Sequence, residues 1–151
     1  MKIALGCDHG GFEYKEAIKK HLIEKGYEVL DQGPFVKEPV DYPIFGIKAA
    51  RAVASGQASY GIVVCTTGEG ISIAANKVKG IRCGIGYNDA VTEKIREHNN
   101  CNMIAFGQAQ TVLVDVLRRV DIFLNTPFAG DKPEGARHAK RVQEIADAEK
   151  C

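Results

Sequence analysis

Residues 60–76 read YGIVVCTTGEGISIAAN, an apolar run that ends at Cys65 and passes through two glycines into an amphipathic segment. A short apolar run of this kind is typical of a buried strand, and the residues after Gly70 have the spacing of a helix. A strand, a glycine-rich turn and a helix in this order indicate one β-α unit of a parallel sheet.

The same alternation recurs on both sides of this unit. The predicted strands are Ile3 to Cys7, Glu28 to Asp31, Tyr60 to Cys65, Arg82 to Gly86 and Asn102 to Gly107. The predicted helices are Phe12 to Lys25, Tyr42 to Ser55, Ile71 to Lys79, Asp89 to Glu97, Thr111 to Leu124 and Glu134 to Glu149. Because crossovers between parallel strands are right-handed, we expect a three-layer α/β/α, Rossmann-like (flavodoxin-like) fold with strand order 2-1-3-4-5.

Glycines and prolines indicate where the predicted helices end and where the loops lie. Gly26 and Gly56 are suited to end helices, and Asp89 is suited to cap one. The proline-rich stretches 33–43 and 125–135 are predicted loops, and the second leaves a terminal helix free to dock elsewhere. We find no linker long enough for a second domain, so residues 1–151 are predicted to form a single domain.

Composition narrows the classes of protein. The chain has 151 residues, 45% of them hydrophobic and 26% charged, enough for one core without metals or disulfides. Its five cysteines are odd in number and form no C-x-x-C pair, which favours neither a disulfide framework nor a zinc site. A net charge of +1 argues against a nucleic-acid surface. The sequence shows neither a signal peptide nor a membrane span, so we expect a cytoplasmic protein that binds no membrane.

Two polar loops are predicted to meet at one crevice. In the expected strand order, the order reverses between strands one and three, and ligands bind at such points outside the carboxyl ends of the strands. Strand one ends in Cys7-Asp8-His9-Gly10-Gly11, and strand three ends in Cys65-Thr66-Thr67-Gly68-Glu69-Gly70.

The second of these loops has the features of an anion site with a reactive thiol. Gly68 and Gly70 allow backbone N–H groups to turn inward at a helix N-terminus, where negative charge is favoured. Cys65 lies just before these donors, which favour the thiolate and make it a candidate base or nucleophile. The alternatives are a plain tight turn and a small buried cysteine, and we expect that structural role for Cys7, Cys83 and Cys101.

Two further polar clusters lie outside the loops. His98 and Asn99 precede strand five, where the histidine could act as an acid or base or could simply end a helix. Arg137 and Arg141 are one helical turn apart, which suits a phosphate, although a solvated basic face has the same pattern. His21 is expected to be structural.

Spacing excludes other anion-binding loops. A cysteine phosphatase needs Cys-x5-Arg, but the required position holds Ile71. A Walker loop needs Gly-Lys-Ser/Thr after its glycines, and a dinucleotide fingerprint needs a small residue where Ile73 stands. Neither ATP nor NAD is therefore expected.

Together the motifs resemble ribose-5-phosphate isomerase of type B, a family that includes galactose-6-phosphate and allose-6-phosphate isomerases. The matching segments run nearly end to end: Gly6-Cys7-Asp8-His9, Asp41-Tyr42-Pro43, Gly68-x-Gly70 with Ile71 to Lys77, His98-Asn99 and Gly135-x-Arg137-His138. The resemblance implies a homodimer in which the terminal helix of one subunit supplies arginines to the crevice of the other. It leaves open whether such dimers pair into tetramers.

The resemblance also implies roles for the residues. Cys65 would take a proton from carbon 2 of the open-chain aldose and return it to carbon 1, and Thr67 would move protons between the sugar oxygens. His98 would open the furanose ring, and Asp8 would hold hydroxyls or assist that opening. The remaining roles are binding the enediolate or sugar (Thr66, Gly68, Glu69, Gly70, Asn99) and binding the phosphate (His9, Arg137, Arg141). No metal or cofactor is implied.

Three departures from the family pattern keep the substrate open. Many relatives have Cys-Gly-Thr-Gly where this chain has Cys65-Thr66-Thr67-Gly68, and Glu69 adds a carboxylate that we expect to point to solvent. Many relatives also have Gly-x-Arg where this chain reads Gly107-Gln108-Ala109. We therefore expect D-ribose 5-phosphate and D-ribulose 5-phosphate to be interconverted, with a six-carbon sugar phosphate or a non-catalytic binding protein as alternatives.

Overall fold

Five strands and six α-helices alternate along the chain in a computed structural model that describes residues 1–150. Cys151, one of the five cysteines and the end of the predicted domain, lies outside the described residues. The strands are Lys2–Cys7 (β1), Glu28–Asp31 (β2), Tyr60–Cys65 (β3), Cys83–Ile85 (β4) and Met103–Gly107 (β5). The helices are Phe12–Glu24 (α1), Tyr42–Ala54 (α2), Glu69–Asn76 (α3), Asp89–Glu97 (α4), Leu113–Asn125 (α5) and Ala136–Ala148 (α6).

The sheet is parallel, as predicted, but its strand order is β2-β1-β3-β5-β4. The predicted order 2-1-3-4-5 is wrong in its last two positions. β5 is buried along its whole length, whereas β4 has only three residues and is half-exposed, so β5 fits beside β3 and β4 fits the edge. The order still reverses between β1 and β3, because β2 lies on one side of β1 and β3 on the other.

Two apolar layers enclose the sheet. α1, α4 and α5 cover one face, where Ile18, Ile95 and Phe123 pack against side chains of β1, β3 and β5. α2 and α3 cover the other, with Ala49, Ile71 and smaller residues against the alternate positions of the same strands. Because successive strand residues point to opposite faces, both layers draw on the same three central strands.

Most boundaries lie within two residues of the predicted ones. Gly26 and Gly56 follow α1 and α2 with left-handed backbone at φ +90° and +84°, as predicted. The predicted cap at Asp89 is wrong. Asn88 caps α4, because its Oδ1 accepts a hydrogen bond from the Val91 N–H at 2.7 Å. Asp89 lies in the first helical turn and pairs with Arg118 and Arg119.

The loop before α6 contains two short 3-10 helices, Ala129–Asp131 and Pro133–Gly135. α6 packs against this loop rather than against the sheet layers. Near its end, Glu149 Oε2 accepts a hydrogen bond from the Gly80 N–H at 2.8 Å. Across residues 1–150, none of the helices combines the length and the apolar character needed to cross a bilayer.

Candidate active site

The loops after β1 and β3 meet as predicted. Asp8 N–H donates to the Val64 carbonyl at 3.3 Å, and Asp8 Oδ1 accepts from Gly10 N–H at 2.9 Å. A Cβ on Gly10 would lie 2.1 Å from Thr66 Oγ1, so the missing side chain at residue 10 makes room for the threonine. Asp8 is buried and His9 beside it is exposed.

The amino end of α3 surrounds the Cys65 sulfur with polar backbone. Gly68, at φ +82°, is the residue before the helix, and its N–H donates to Cys65 Sγ at 3.2 Å. Glu69 N–H donates to Thr67 Oγ1 at 3.2 Å, which leaves the hydroxyl hydrogen of Thr67 free to donate elsewhere. Cys65 thus lies against a backbone N–H group at a helix N-terminus, as predicted from the sequence.

Two contacts from the 33–43 loop and the start of α2 complete this region. Val40 N–H donates to His9 Nδ1 at 3.2 Å, so the neutral ring carries its proton on Nε2 and can donate outward. The Tyr42 ring lies over Gly70, where an added Cβ would come within 2.7 Å of it. We call Asp8, His9 and residues 65–70 the thiol half-site.

A cleft of about 690 Å³ opens beside Thr67 and Glu69 and continues towards Tyr87 and Gln110. Glu69 is exposed and lines the cleft. Gln108 Oε1 accepts a hydrogen bond from Tyr14 N–H at 3.1 Å, and Ala109 follows it at the surface, so this segment offers no cation to the cleft.

His98 lies at the other end of the sheet. It follows α4 and precedes β5, at the amino ends of the strands, whereas Cys65 is paired with Gly107 at the carboxyl end of β5. The five paired residues of β5 between these ends span about 13 Å at 3.3 Å per residue. Asn99, next to His98, is exposed at the same end.

The basic residues of α6 lie at the same end of the sheet as His98, away from Cys65. The rings of His98 and His138 are stacked, with centroids 4.1 Å apart and planes inclined by 9°. Arg137 and Arg141 are on the same helix as His138, and both are exposed. We call His98, Asn99, Arg137, His138 and Arg141 the histidine half-site. Within one chain the structure does not bring the two half-sites together.

The other described cysteines have the structural character expected of them. Burial raises the pKa of Cys7 to about 12 and that of Cys101 to about 11. Burial also raises the pKa of Cys83. Such thiols stay protonated at neutral pH. His21 is structural too, with its Nε2 2.8 Å from Asp121 Oδ1.

Sequence reasoning missed the groups that hold these residues in place. Arg96 is buried, and its Nη1 donates to Asn100 Oδ1 and to the Cys101 carbonyl at 2.9 and 2.8 Å. Nothing in the sequence separates this arginine from a solvated one on the same helix. His138 belongs to the Gly135-x-Arg137-His138 motif, but the sequence predicted no role for it. Its stacking on His98, 40 positions away, could not be inferred from spacing.

Fold and site together place the chain among α/β proteins that hold a small ligand at the carboxyl ends of their strands. The family model described as ribose/galactose isomerase matches residues 3–145. The chain therefore belongs to the ribose/galactose isomerase family.

Individual relatives match nearly the whole chain. Ribose-5-phosphate isomerase B of Escherichia coli (strain K12) is 43% identical over 148 residues, 98% of this chain and 96% of that protein. The structure of Clostridium thermocellum ribose-5-phosphate isomerase B has 47% identity and a TM-score of 0.94, covering 99% and 98% of the two chains. The Mycoplasma genitalium ribose-5-phosphate isomerase B, solved with bound ribulose-5-phosphate, has 32% identity and a TM-score of 0.91 over 99% and 96%.

Proposed function

We propose that the chain interconverts D-ribose 5-phosphate and D-ribulose 5-phosphate through an enediolate, with Cys65 as the base. The observation that carries the proposal is the hydrogen bond from Gly68 N–H to Cys65 Sγ at the amino end of α3. Membership in an isomerase family and a relative solved with bound ribulose-5-phosphate support the choice of chemistry and sugar.

The proposed reaction begins with ring opening. His98 gives a proton to the ring oxygen as the bond from that oxygen to carbon 1 breaks, and the carbon-1 hydroxyl gives its proton to water as the aldehyde forms. Asp8 holds sugar hydroxyls or assists this step. Asn99 helps to bind the sugar.

Proton transfer then takes place at the thiol half-site. The Cys65 thiolate removes the proton from carbon 2, and the negative charge that develops on the carbon-1 oxygen is stabilised by the backbone N–H groups of residues 66–70. Thr67, whose hydroxyl hydrogen is free, moves a proton between the two sugar oxygens. The Cys65 thiol then returns its proton to carbon 1.

The phosphate fixes the substrate for these steps. His9 donates from Nε2, because Nδ1 accepts from Val40, and Arg137 and Arg141 supply two guanidinium groups one helical turn apart. Holding the phosphate at a distance from the thiol places carbons 1 and 2 at Cys65. Gln108 and Ala109 give no further cation, so the clamp depends on these three side chains.

The active enzyme is proposed to be a homodimer with shared sites. Cys65 and His98 lie at opposite ends of one sheet, so a complete site needs the histidine half-site of a second copy beside the thiol half-site of the first. Three exposed apolar side chains adjoin the thiol half-site and its cleft, as expected of a surface that a partner covers: Tyr42, Ile44 and Tyr87. We also propose a cytoplasmic location, which suits the free thiols of Cys7, Cys65 and Cys101.

A six-carbon sugar phosphate is the second candidate. The Thr66 hydroxyl occupies the space where a Cβ on Gly10 would lie, so a residue that departs from the family pattern stands between the two loops, which is the reason to test a longer sugar. The decisive experiment is turnover of the purified chain with ribose 5-phosphate beside allose 6-phosphate. We expect faster conversion of ribose 5-phosphate and, for Cys65→Ala, a loss of at least about 10²-fold, in the range of a positioned acid-base group. Full activity of Cys65→Ala would contradict the assignment of the base, and faster conversion of the six-carbon sugar would change the substrate.

A further inference from the structure

The histidine half-site contains one buried group to which the proposed reaction gives no role. His138 is 7% exposed, while the His98 side chain against it is 37% exposed. Their near-parallel rings are stacked, with centroids 4.1 Å apart. One histidine thus faces solvent and the other forms a flat surface behind it.

The backbone under His98 is also held firmly. His98 N–H donates to the Lys94 carbonyl at 2.8 Å, and Arg96 bonds to Asn100 and Cys101 just beyond. Arg96 Nε also donates to the Thr126 carbonyl at 3.2 Å, which ties this turn to the loop that leads to α6. On this backbone the His98 ring can still rotate, and the His138 ring stacked on it restricts that rotation.

Burial and the charges around the pair disfavour a proton on the inner ring. Burial lowers the pKa of His138, and the charges of His98, Arg137 and Arg141 lower it further, while Glu97 opposes them. Glu97 Oε1 lies 3.6 Å from His98 Nε2, so the carboxylate of α4 faces the outer ring. A proton is therefore disfavoured on the inner ring, which is the ring that packs behind His98.

We propose that His138 is a positioning residue: its buried ring, stacked on His98, fixes the plane in which His98 delivers a proton to the sugar ring oxygen. The inference rests on the proposed function, because it takes His98 as the group that opens the ring. His138 itself transfers no proton in this account. Its contribution is the shape of a flat ring.

Two substitutions distinguish the contribution of the flat His138 ring from that of its nitrogen atoms. His138→Ala removes the stacking surface, whereas His138→Phe keeps a flat ring without nitrogen atoms. We expect His138→Ala to lower kcat on saturating ribose 5-phosphate by roughly tenfold, a part of the 10²–10⁴-fold effect of a positioned acid-base group, with KM nearly unchanged. His138→Phe should restore kcat to within about threefold of the parent chain. Glu144→Ala, an exposed position on the same helix, is the control and should leave kcat unchanged.

A second readout isolates ring opening from proton transfer at carbon. Ribulose 5-phosphate cannot close a furanose ring, because its carbon-5 oxygen carries the phosphate, so deuterium uptake from D₂O at its carbon 1 needs Cys65 but no ring opening. His138→Ala should keep the uptake rate of the parent chain. The inference is overturned if His138→Ala keeps full kcat, if His138→Phe is as impaired as His138→Ala, or if His138→Ala also loses deuterium uptake. Failure of the proposed function is distinct, since the parent chain itself would then convert no ribose 5-phosphate.

Discussion

At the residue scale, the thiol half-site depends on local backbone geometry. The glycine at residue 68 has φ +82°, a conformation that glycine adopts freely and other residues adopt at a cost, and this turn aims its N–H at Cys65 Sγ. The relation between Cys65, Gly68 and the start of α3 could be predicted because all of these residues are neighbours in sequence. The hydrogen bond from Val40 to His9 could not, because it joins a side chain to a backbone group 31 positions away.

Gly68→Ala tests this geometry. A Cβ at residue 68 would lie 3.0 Å from the Phe106 carbonyl carbon and 3.1 Å from the Gly107 nitrogen, and the left-handed backbone adds strain. We expect a loss of about 1–2 kcal/mol in the free energy of unfolding and, because the N–H donors shift, at least about a tenfold loss in kcat.

The control for this prediction is Gly26→Ala. Gly26 has a similar φ of +90°, but no atom lies within 4 Å of its added Cβ. The Gly26→Ala variant should lose stability only through its strained left-handed backbone, and it should keep its kcat. Equal kcat in the two variants would show that the turn at residue 68 has no part in catalysis.

At the element scale, α1 anchors β2 and the loop that orients His9. Lys15 is 1% exposed, and its Nζ donates to both Asp31 oxygens at 2.8 and 2.9 Å and to the Pro34 carbonyl at 2.7 Å. Burial alone would raise the pKa of Asp31, but hydrogen bonds from Lys15 and Gly33 and the charge of Lys15 lower it. This buried pair joins a helix, a strand and a loop.

Lys15→Met should therefore strongly destabilise the fold. It leaves the Asp31 carboxylate, which is 8% exposed, with only the half-buried Lys19 as its cation. We expect a loss of about 3–5 kcal/mol at pH 7 in urea unfolding, against less than about 1 kcal/mol for Lys19→Met. Since the folded pKa of Asp31 lies below its unfolded value of about 3.9, its stabilising contribution is present above that pH and is lost as pH falls through the folded pKa.

The acid part of the stability curve should accordingly be flatter in Lys15→Met than in the parent chain. Equal costs for Lys15→Met and Lys19→Met at pH 7, or an unchanged acid dependence, would contradict the importance given to the buried pair.

Element positions were only partly predictable. Apolar periodicity gave all five strands and all six α-helices, because burial imposes that spacing on the sequence. It did not give the neighbours of each strand. The sequence does contain a signal for the correct strand order. Met103 to Phe106 is apolar at every position, as a central strand should be, while β4 has only three residues with Gly84 at its centre. The periodicity within a segment, however, does not say which strand lies beside it.

At the scale of the whole molecule, the arrangement of the half-sites determines what the chain can do alone. The sequence motifs indicated the thiol loop, the histidine and the arginine pair, but motifs carry no information on distance. In the structure, α6 and the stacked pair of His98 and His138 lie at the amino ends of the strands, and Cys65 lies at the carboxyl ends. Under the proposed function, the histidine half-site of a second copy supplies the missing half, and this shared site is the central claim tested below.

Mixing two inactive variants tests that claim most directly. Cys65→Ala retains the histidine half-site, and His98→Ala retains the thiol half-site, so a mixed dimer has one intact site and one site that lacks both groups. After unfolding and joint refolding of equal amounts, random pairing makes half of the dimers mixed, and we predict about one quarter of the parent turnover of ribose 5-phosphate. If mass measurement shows mixed dimers and turnover stays at the level of the separate variants, Cys65 and His98 do not act across the subunit interface and the account is contradicted.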